Sequence, residues 1–252
     1  MTVLSVKDLR KRYGHVDALV GASMSINAGE VVSLIGDNGA GKSTLVRILS
    51  GVEAADSGHF EFDGKALDAG DISKRRELGI ETVFQDLALA DDLNPVQNLF
   101  LGREVMRQGI LGKLGFMDTK AMEKQGRHAL QTLGATVRNF SGRVGGMSGG
   151  QKQSIAVCRA ATWANKLIFL DEPTAALGVP QTKGVMDLIR RVRDSGVAVI
   201  LISHSMPHVL EISDRIVVLR RGRTVANYTP ANTSVEELVG AMTGALEVGE
   251  KK

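Results

Sequence analysis

Gly36-Asp37-Asn38-Gly39-Ala40-Gly41-Lys42-Ser43-Thr44 is the stretch of this sequence that decides the fold. It follows an apolar run, Val31–Ile35, and it leads into helical spacing from Lys42 to Ser50. A strand, a glycine-rich loop and a helix in this order form the pattern of a phosphate-binding loop. Glycines let backbone N–H groups close around phosphate oxygens, and the helix N-terminus adds its positive dipole end. A glycine-rich turn with a solvated lysine is the alternative.

Two carboxylates follow a second apolar run. Leu167–Leu170 has the composition of a buried strand, and Asp171 and Glu172 come directly after it. Because ligands bind at the carboxyl ends of strands in α/β sheets, we expect both side chains beside the phosphate loop. Asp171 would hold magnesium, and Glu172 would polarise the water that attacks a γ-phosphate. Taken alone, an Asp-Glu pair is explained equally well as the end of a strand.

A third motif, Ser148-Gly149-Gly150-Gln151, precedes a helical stretch. A second helix N-terminus with a small hydroxyl and bare backbone would form another anion site. A serine-capped helix after a glycine turn explains the motif equally well when it is taken in isolation. The tetrapeptide resembles the signature motif of the ABC (ATP-binding cassette) ATPases. The ordered set of motifs resembles that family over about residues 3 to 245.

The resemblance to ABC ATPases implies that ATP and magnesium bind in a site shared by two chains. Tyr13 aligns with the aromatic residue that stacks on adenine, although it could instead be a strand aromatic covering the core. Gln85 resembles the glutamine that touches magnesium or the attacking water, and His204 resembles the histidine that contacts the γ-phosphate. The expected nucleotide-binding residues are Tyr13, Gly36, Asp37, Asn38, Gly39, Ala40, Gly41, Lys42, Ser43, Thr44, Ser148, Gly149, Gly150 and Gln151. The expected catalytic residues are Glu172, His204 and Gln85, and the expected metal ligands are Ser43, Gln85 and Asp171.

Alternating strand and helix patterns predict an α/β fold. The family resemblance implies a P-loop NTPase (RecA-like) core with a β-subdomain and an inserted α-helical subdomain. We expect a single ABC ATPase domain over residues 1–245, with its core at about 1–87 and 164–245. The helical subdomain is expected at about 88–163, with Asp118 as a helix N-cap. Residues 246–252 are expected to form a loose tail.

The amino-acid composition limits the classes of protein to which the chain can belong. The chain has 252 residues, 43% of them hydrophobic and 23% charged, which is typical of a soluble globular protein. A net charge of +3 is explained by a solvated surface, and no nucleic-acid partner is expected. One cysteine excludes an internal disulfide. No run of about 18 apolar residues occurs, so the sequence predicts a cytosolic chain unless another subunit holds it at a membrane.

Three further stretches resemble the ATPases of bacterial monosaccharide importers of the ribose, xylose and fructose group. They are Asn98–Glu104, Asp171–Val179 and Ser203–Val209. The resemblance implies a homodimer formed on ATP binding, integral-membrane permease subunits and a periplasmic or extracellular solute-binding protein. It places the chain at the cytoplasmic face of the inner membrane. Gly178 stands where the family usually has aspartate, which puts one contact between subunits in doubt.

Two other functions are compatible with the core motifs. A soluble ABC ATPase of DNA repair, translation or assembly would carry the same nucleotide site but would move no solute. The single cassette without long charged linkers and the importer-like stretches argue against it. A regulatory nucleotide binder without hydrolysis is disfavoured because Lys42, Asp171 and Glu172 are all present.

Overall fold

The computed structural model describes residues 1–67, 70–135, 137 and 139–245. The tail expected at 246–252 lies outside the described residues. The strands are β1 (Thr2–Tyr13), β2 (Val16–Asn27), β3 (Val31–Ile35), β4 (Ser57–Phe62), β5 (Lys65–Ala66), β6 (Ile80–Val83), β7 (Leu167–Asp171), β8 (Ala198–Ile202), β9 (Arg215–Arg220) and β10 (Arg223–Tyr228). The helices are α1 (Lys42–Leu49), α2 (Ile72–Glu77), α3 (Pro95–Phe100), α4 (Ile110–Lys113), α5 (Thr119–Thr132), α6 (Gly149–Trp163), α7 (Val179–Asp194), α8 (Met206–Ile212) and α9 (Val235–Thr243).

The strands form two sheets. A six-stranded sheet has the order β10-β9-β3-β8-β7-β6, in which the pairs from β9 to β6 are parallel and β10 is antiparallel to β9. A four-stranded antiparallel sheet has the order β2-β1-β4-β5. The predicted α/β class with a separate β layer is confirmed.

The central strands are apolar because both faces of the larger sheet are covered. All five residues of β3 and of β8 are buried. Val32 and Leu34 pack with residues of the four-stranded sheet, whereas Val31 belongs to the cluster that includes α6 and α7. Continuous rather than alternating apolar runs are expected in strands that are buried on both faces.

Between β6 and β7 the chain forms α3, α4, α5 and α6. α5 begins as the sequence predicted, since the Asp118 side chain accepts a hydrogen bond from Ala121 N. α6 contacts both α3 and α7, and it therefore joins the helical region to the core. In the described part of the chain, no helix combines the length and apolar character needed to cross a membrane.

Asn98 organises the loop that leads from β6 into α3. Its fully buried side chain accepts a hydrogen bond from Ala90 N at 2.8 Å and donates to Ala90 O at 3.0 Å. It also donates to Asn94 O at 3.1 Å. This one amide therefore links Ala90 to Asn94, and it is the hydrogen-bond partner of Ala90 N, which no strand or helix pairs.

We expect Asn98→Ala to lower the free energy of unfolding by about 2–3 kcal/mol, because buried backbone groups lose their partners. Urea denaturation measures the change. Asn227→Ala removes an exposed asparagine from β10 and should change stability by less than about 0.5 kcal/mol. Equal losses in the two variants would contradict the assignment.

Candidate functional site

The parallel register aligns the carboxyl ends of four strands. Leu34 of β3 is opposite Ile202 of β8, and Asp171 of β7 is also opposite Ile202. Val83 of β6 is opposite Leu170 of β7. The residues that follow these strands therefore meet at one edge of the sheet, where α/β proteins bind ligands.

A cavity of about 450 Å³ opens at this edge. It brings together predicted residues from distant parts of the sequence: the phosphate loop, both carboxylates, Tyr13, Gln85 and His204. Its lining residues are Tyr13, Val16, Asp17, Ala18, Asn38, Gly39, Ala40, Gly41, Lys42, Ser43, Thr44, Gln85, Asp171, Glu172, Ile202 and His204.

The loop between β3 and α1 has the backbone of a phosphate-binding loop. Gly39 and Gly41 have φ of 78° and 102°, which is the region that favours glycine. Gly36 and Asp37 lie at the start of the loop and outside the cavity lining. A Cβ at Gly36 would meet Leu219 O at 2.3 Å, so only glycine fits there.

Lys42 is the buried cation of the loop. Its side chain is only 7% exposed, and Nζ donates to Gly36 O at 2.8 Å and to Asp37 O at 3.1 Å. Burial lowers the pKa of Lys42, while Glu172 and Asp171 act in the opposite direction. The lysine therefore shares one electrostatic environment with the two carboxylates.

Asp171 and Glu172 are half-buried at the end of β7. Burial raises the pKa of both carboxyl groups, although Lys42 opposes this for Asp171 and His204 opposes it for Glu172. Glu172 Oε1 lies 3.4 Å from His204 Nε2. This buried oxygen accepts no hydrogen bond from the described residues, so it retains capacity to accept a proton or a water hydrogen.

Tyr13 closes the cavity at the end of β1. Its hydroxyl donates to Glu53 Oε2, and Glu53 Oε1 accepts from Arg47 at 2.8 Å in an ion pair. The ring is partly exposed. The Tyr13 hydroxyl is anchored by Glu53, so the ring is held at the mouth of the cavity.

The signature motif lies outside the cavity lining of its own chain. Ser148 is the N-cap of α6, and its hydroxyl and the Gln151 side chain form a reciprocal capping box. Ser148 and Gly149 are exposed. The helix-capping alternative is therefore correct as local structure, and it leaves the N-terminus of α6 facing outward.

α6 also holds the loop that follows Gln85. Arg159 donates to Leu87 O at 2.8 Å and to Ala88 O at 2.7 Å. Leu87 and Ala88 both have positive φ, and Lys152 forms an ion pair with Asp91 at 2.9 Å. The signature helix and the loop after Gln85 are thus tied together at two points.

Several cavity residues were missed by sequence reasoning. Asp17 and Ala18 lie on β2, just across the hairpin turn from Tyr13, and their nearness to Tyr13 was the available signal. Glu53, which lies outside the cavity lining and holds Tyr13, gave no signal, since this contact depends on how β1 packs beside the end of α1.

Comparison with known proteins places these motifs in a family. The model of the ABC transporter family matches residues 19–175. The chain belongs to the ABC transporter family. It is an ATP-binding subunit of that family and an ATPase, as the sequence predicted.

Three relatives carry the resemblance to sugar importers. The chain is 44% identical to the fructose import ATP-binding protein of Rhizobium meliloti, over 97% of this chain and 95% of that protein. It is 41% identical to the xylose/arabinose import ATP-binding protein of Sulfolobus acidocaldarius, over 99% of both. It is 36% identical to the ribose import ATP-binding protein of Bacillus licheniformis, over 96% of this chain and 48% of that protein.

Solved structures agree with the fold. An ATP-binding cassette of an ABC transporter in its ADP conformation is 26% identical, with a TM-score of 0.78 over 96% of this chain and 95% of that one. A dimeric bacterial ABC transporter cassette is 25% identical, with a TM-score of 0.75 over 90% of this chain and 98% of that one.

Glu172→Gln is expected to raise the free energy of unfolding at pH 7 without nucleotide. A raised folded-state pKa stabilises the fold below the unfolded-state value of about 4.3, and that contribution is lost as the pH rises through the folded value. A neutral amide at this position does not ionise, so it avoids this loss of stability. The higher stability of the variant over the wild type should therefore disappear toward pH 4. Urea denaturation at pH 7 and pH 4 measures it. The exposed control Glu77→Gln should show no such gap, and a variant less stable at pH 7 would contradict the prediction.

Proposed function

We propose that this ABC ATPase powers the import of a monosaccharide through a membrane permease. The observation that carries the proposal is the single cavity that unites the phosphate loop, two carboxylates, Gln85 and His204. The relatives named as fructose and xylose/arabinose import proteins support sugar import over a soluble role in DNA repair, translation or assembly.

The residues of the proposed site divide into binding and catalytic groups. Tyr13 stacks on adenine, the backbone from Gly36 to Thr44 holds the phosphates, and Lys42 contacts the β and γ phosphates. Glu172 takes a proton from the attacking water, for which it is suited by its raised pKa and by an Oε1 that accepts no hydrogen bond from the described residues. His204 lies beside Glu172 and contacts the γ-phosphate, and Gln85 contacts magnesium or the attacking water.

The donor set at the cavity also fits magnesium. Ser43, Gln85 and Asp171 offer a hydroxyl, an amide and a carboxylate oxygen, which are hard ligands of the kind that magnesium prefers beside phosphates. Magnesium would neutralise charge on the phosphate oxygens. Among the described residues no cluster of three or more His, Cys, Asp or Glu side chains forms a metal site, in keeping with a cation held partly by its substrate.

The catalytic unit is a head-to-tail homodimer with two ATP molecules at the interface. The N-terminus of α6, where Ser148 and Gly149 are exposed, lies outside the cavity of its own chain and can meet the γ-phosphate held by the partner. ATP closes the dimer because only ATP supplies a γ-phosphate that both chains contact. Hydrolysis removes that shared ligand, and the dimer reopens.

A second cavity, of about 360 Å³, is suited to a permease helix. It lies between α3 and α5, with Val96, Phe100 and Met122 among its apolar lining residues and Glu104 and Glu123 among its polar ones. An apolar groove with a polar rim is the usual receptor for an amphipathic helix. The chain would then work peripherally, at the cytoplasmic face of the inner membrane, with a solute-binding protein on the far side. The domain division into a core (1–87, 164–245) and a helical subdomain (88–163) is part of this proposal.

The first test measures the ATPase activity of the Glu172→Gln variant and its oligomeric state with and without ATP. Loss of the catalytic carboxylate should lower turnover at least about a hundredfold while ATP binding persists. The variant should therefore accumulate as a dimer in ATP, as measured by light scattering. Lys42→Ala, which weakens phosphate binding, should remain monomeric. Full activity in Glu172→Gln would show that this carboxylate is not catalytic.

Mixing two inactive variants tests whether the site is shared. In a heterodimer of Lys42→Ala and Ser148→Arg chains, one site combines an intact phosphate loop with an intact signature motif. ATPase activity should therefore reappear on mixing, at up to about half of the wild-type rate per chain, because each heterodimer holds one intact site of two. If the mixture stays inactive although each variant is folded, the two-chain site is wrong.

A further inference from the structure

An exposed apolar segment lies between α3 and α5. We call residues 105–117 the apolar hairpin. No residue of α4, which forms its tip, is buried. Six large apolar side chains of the hairpin are between 45% and 77% exposed: Met106, Ile110, Leu111, Leu114, Phe116 and Met117. Ile72 and Val239 are examples of exposed large apolar residues in other parts of the described chain. A contiguous exposed apolar patch of this kind marks an interaction surface.

The hairpin pairs much of its backbone internally. Met106 and Met117 form an antiparallel bridge, and Arg107 N donates to Phe116 O at 2.9 Å. Within the tip, Leu114 N donates to Ile110 O at 3.0 Å, and Phe116 N donates to Leu111 O at 3.0 Å. Backbone groups that are already paired can enter a poorly hydrated layer at little cost in free energy. The unpaired backbone groups of an open loop would lose their hydrogen bonds to water there.

The charge of the hairpin is entirely positive. Arg107 and Lys113 are both exposed, and no carboxylate occurs between Glu104 and Asp118. Apolar side chains flanked by cations complement the surface of a bilayer with anionic headgroups. The cations would meet phosphates, and the apolar side chains would enter the boundary with the acyl chains.

The hairpin is continuous with the groove proposed for the permease. Met117 belongs to the hairpin and also lines that groove, together with Leu101. A permease helix seated in the groove would therefore hold the hairpin close to the plane of the membrane. The groove is concave and suits a helix. The tip of the hairpin carries exposed side chains, so it suits a lipid surface better.

We propose that the apolar hairpin inserts into the headgroup region of an anionic lipid bilayer beside the permease. This inference rests on the proposed membrane-associated function. It adds a contact that the chain makes with lipid directly, without the permease. The hairpin contributes no residue to the nucleotide cavity, so lipid binding and ATP hydrolysis can be measured separately.

The test is flotation of the purified full chain with vesicles. Wild-type chain should float with vesicles of phosphatidylcholine and phosphatidylglycerol, and much less with phosphatidylcholine alone. The double variant Leu114→Ser/Phe116→Ser should bind the anionic vesicles at least about tenfold more weakly. Arg107→Gln/Lys113→Gln should also bind more weakly and should lose most of the salt dependence. The matched control Ile72→Ser/Val239→Ser, which removes two exposed apolar residues elsewhere, should bind like wild type.

A fluorescent label tests insertion without removing the apolar residues. Cys158 is the one native cysteine, it is buried, and burial raises the pKa of its thiol to about 12, so it should react poorly. An environment-sensitive dye on Leu114→Cys should shift to shorter wavelength with anionic vesicles and be quenched by lipid-borne quenchers. The same dye on Val239→Cys should not respond.

Three outcomes would overturn the inference. The first is a wild-type chain that does not float with anionic vesicles, and the second is a serine variant that floats as well as the wild type. The third is a hairpin variant that binds vesicles normally but fails to co-purify with the permease, which would make the hairpin a protein contact. Retained ATPase activity and ATP-dependent dimerisation in the variants would separate failure of this inference from failure of the proposed function.

Discussion

The site depends on the parallel pairing of β3 with β8 and of β8 with β7. This pairing ends three buried strands at the same edge of the sheet, and β6 extends the edge through its pairing with β7. The phosphate loop, the carboxylate pair, His204 and Gln85 follow these strands and therefore line one cavity. A slip of one residue at β3 or β8 would reverse the faces of a fully buried strand, so packing on both faces maintains the register.

The charges of Lys42, Asp171 and Glu172 influence one another at this edge of the sheet. Lys42 is nearly buried among two carboxylates, and burial lowers its pKa while raising those of Asp171 and Glu172. Each charged form is disfavoured by lost hydration and favoured by its neighbours of opposite charge. A substitution at one of the three therefore shifts the pKa of the others.

The connection from the cavity to the outward-facing signature motif runs through α6. Arg159 holds two carbonyls in the loop after Gln85, where the backbone adopts positive φ, and Lys152 holds Asp91 in the same loop. Ser148 caps the same helix. A displacement of the loop and a displacement of the signature motif are thus mechanically linked in one chain. The groove and the apolar hairpin border the same helical region, where α3 packs on α6.

The local features of the protein follow from its amino-acid sequence alone. The sequence predicted the phosphate loop, the buried strands and the Asp118 cap, because periodicity and glycine placement act over a few residues. The predicted boundaries of the elements were close but imperfect: the strand predicted at Leu167–Leu170 extends to Asp171, and the short helix α2 was not predicted. Family resemblance pointed to Gln85, His204 and Tyr13 as site residues. Only the tertiary structure decided the strand order, the place of Asp17 and Glu53 beside Tyr13, and the exposure of the apolar hairpin. These depend on contacts between residues far apart in the chain, which no local pattern encodes.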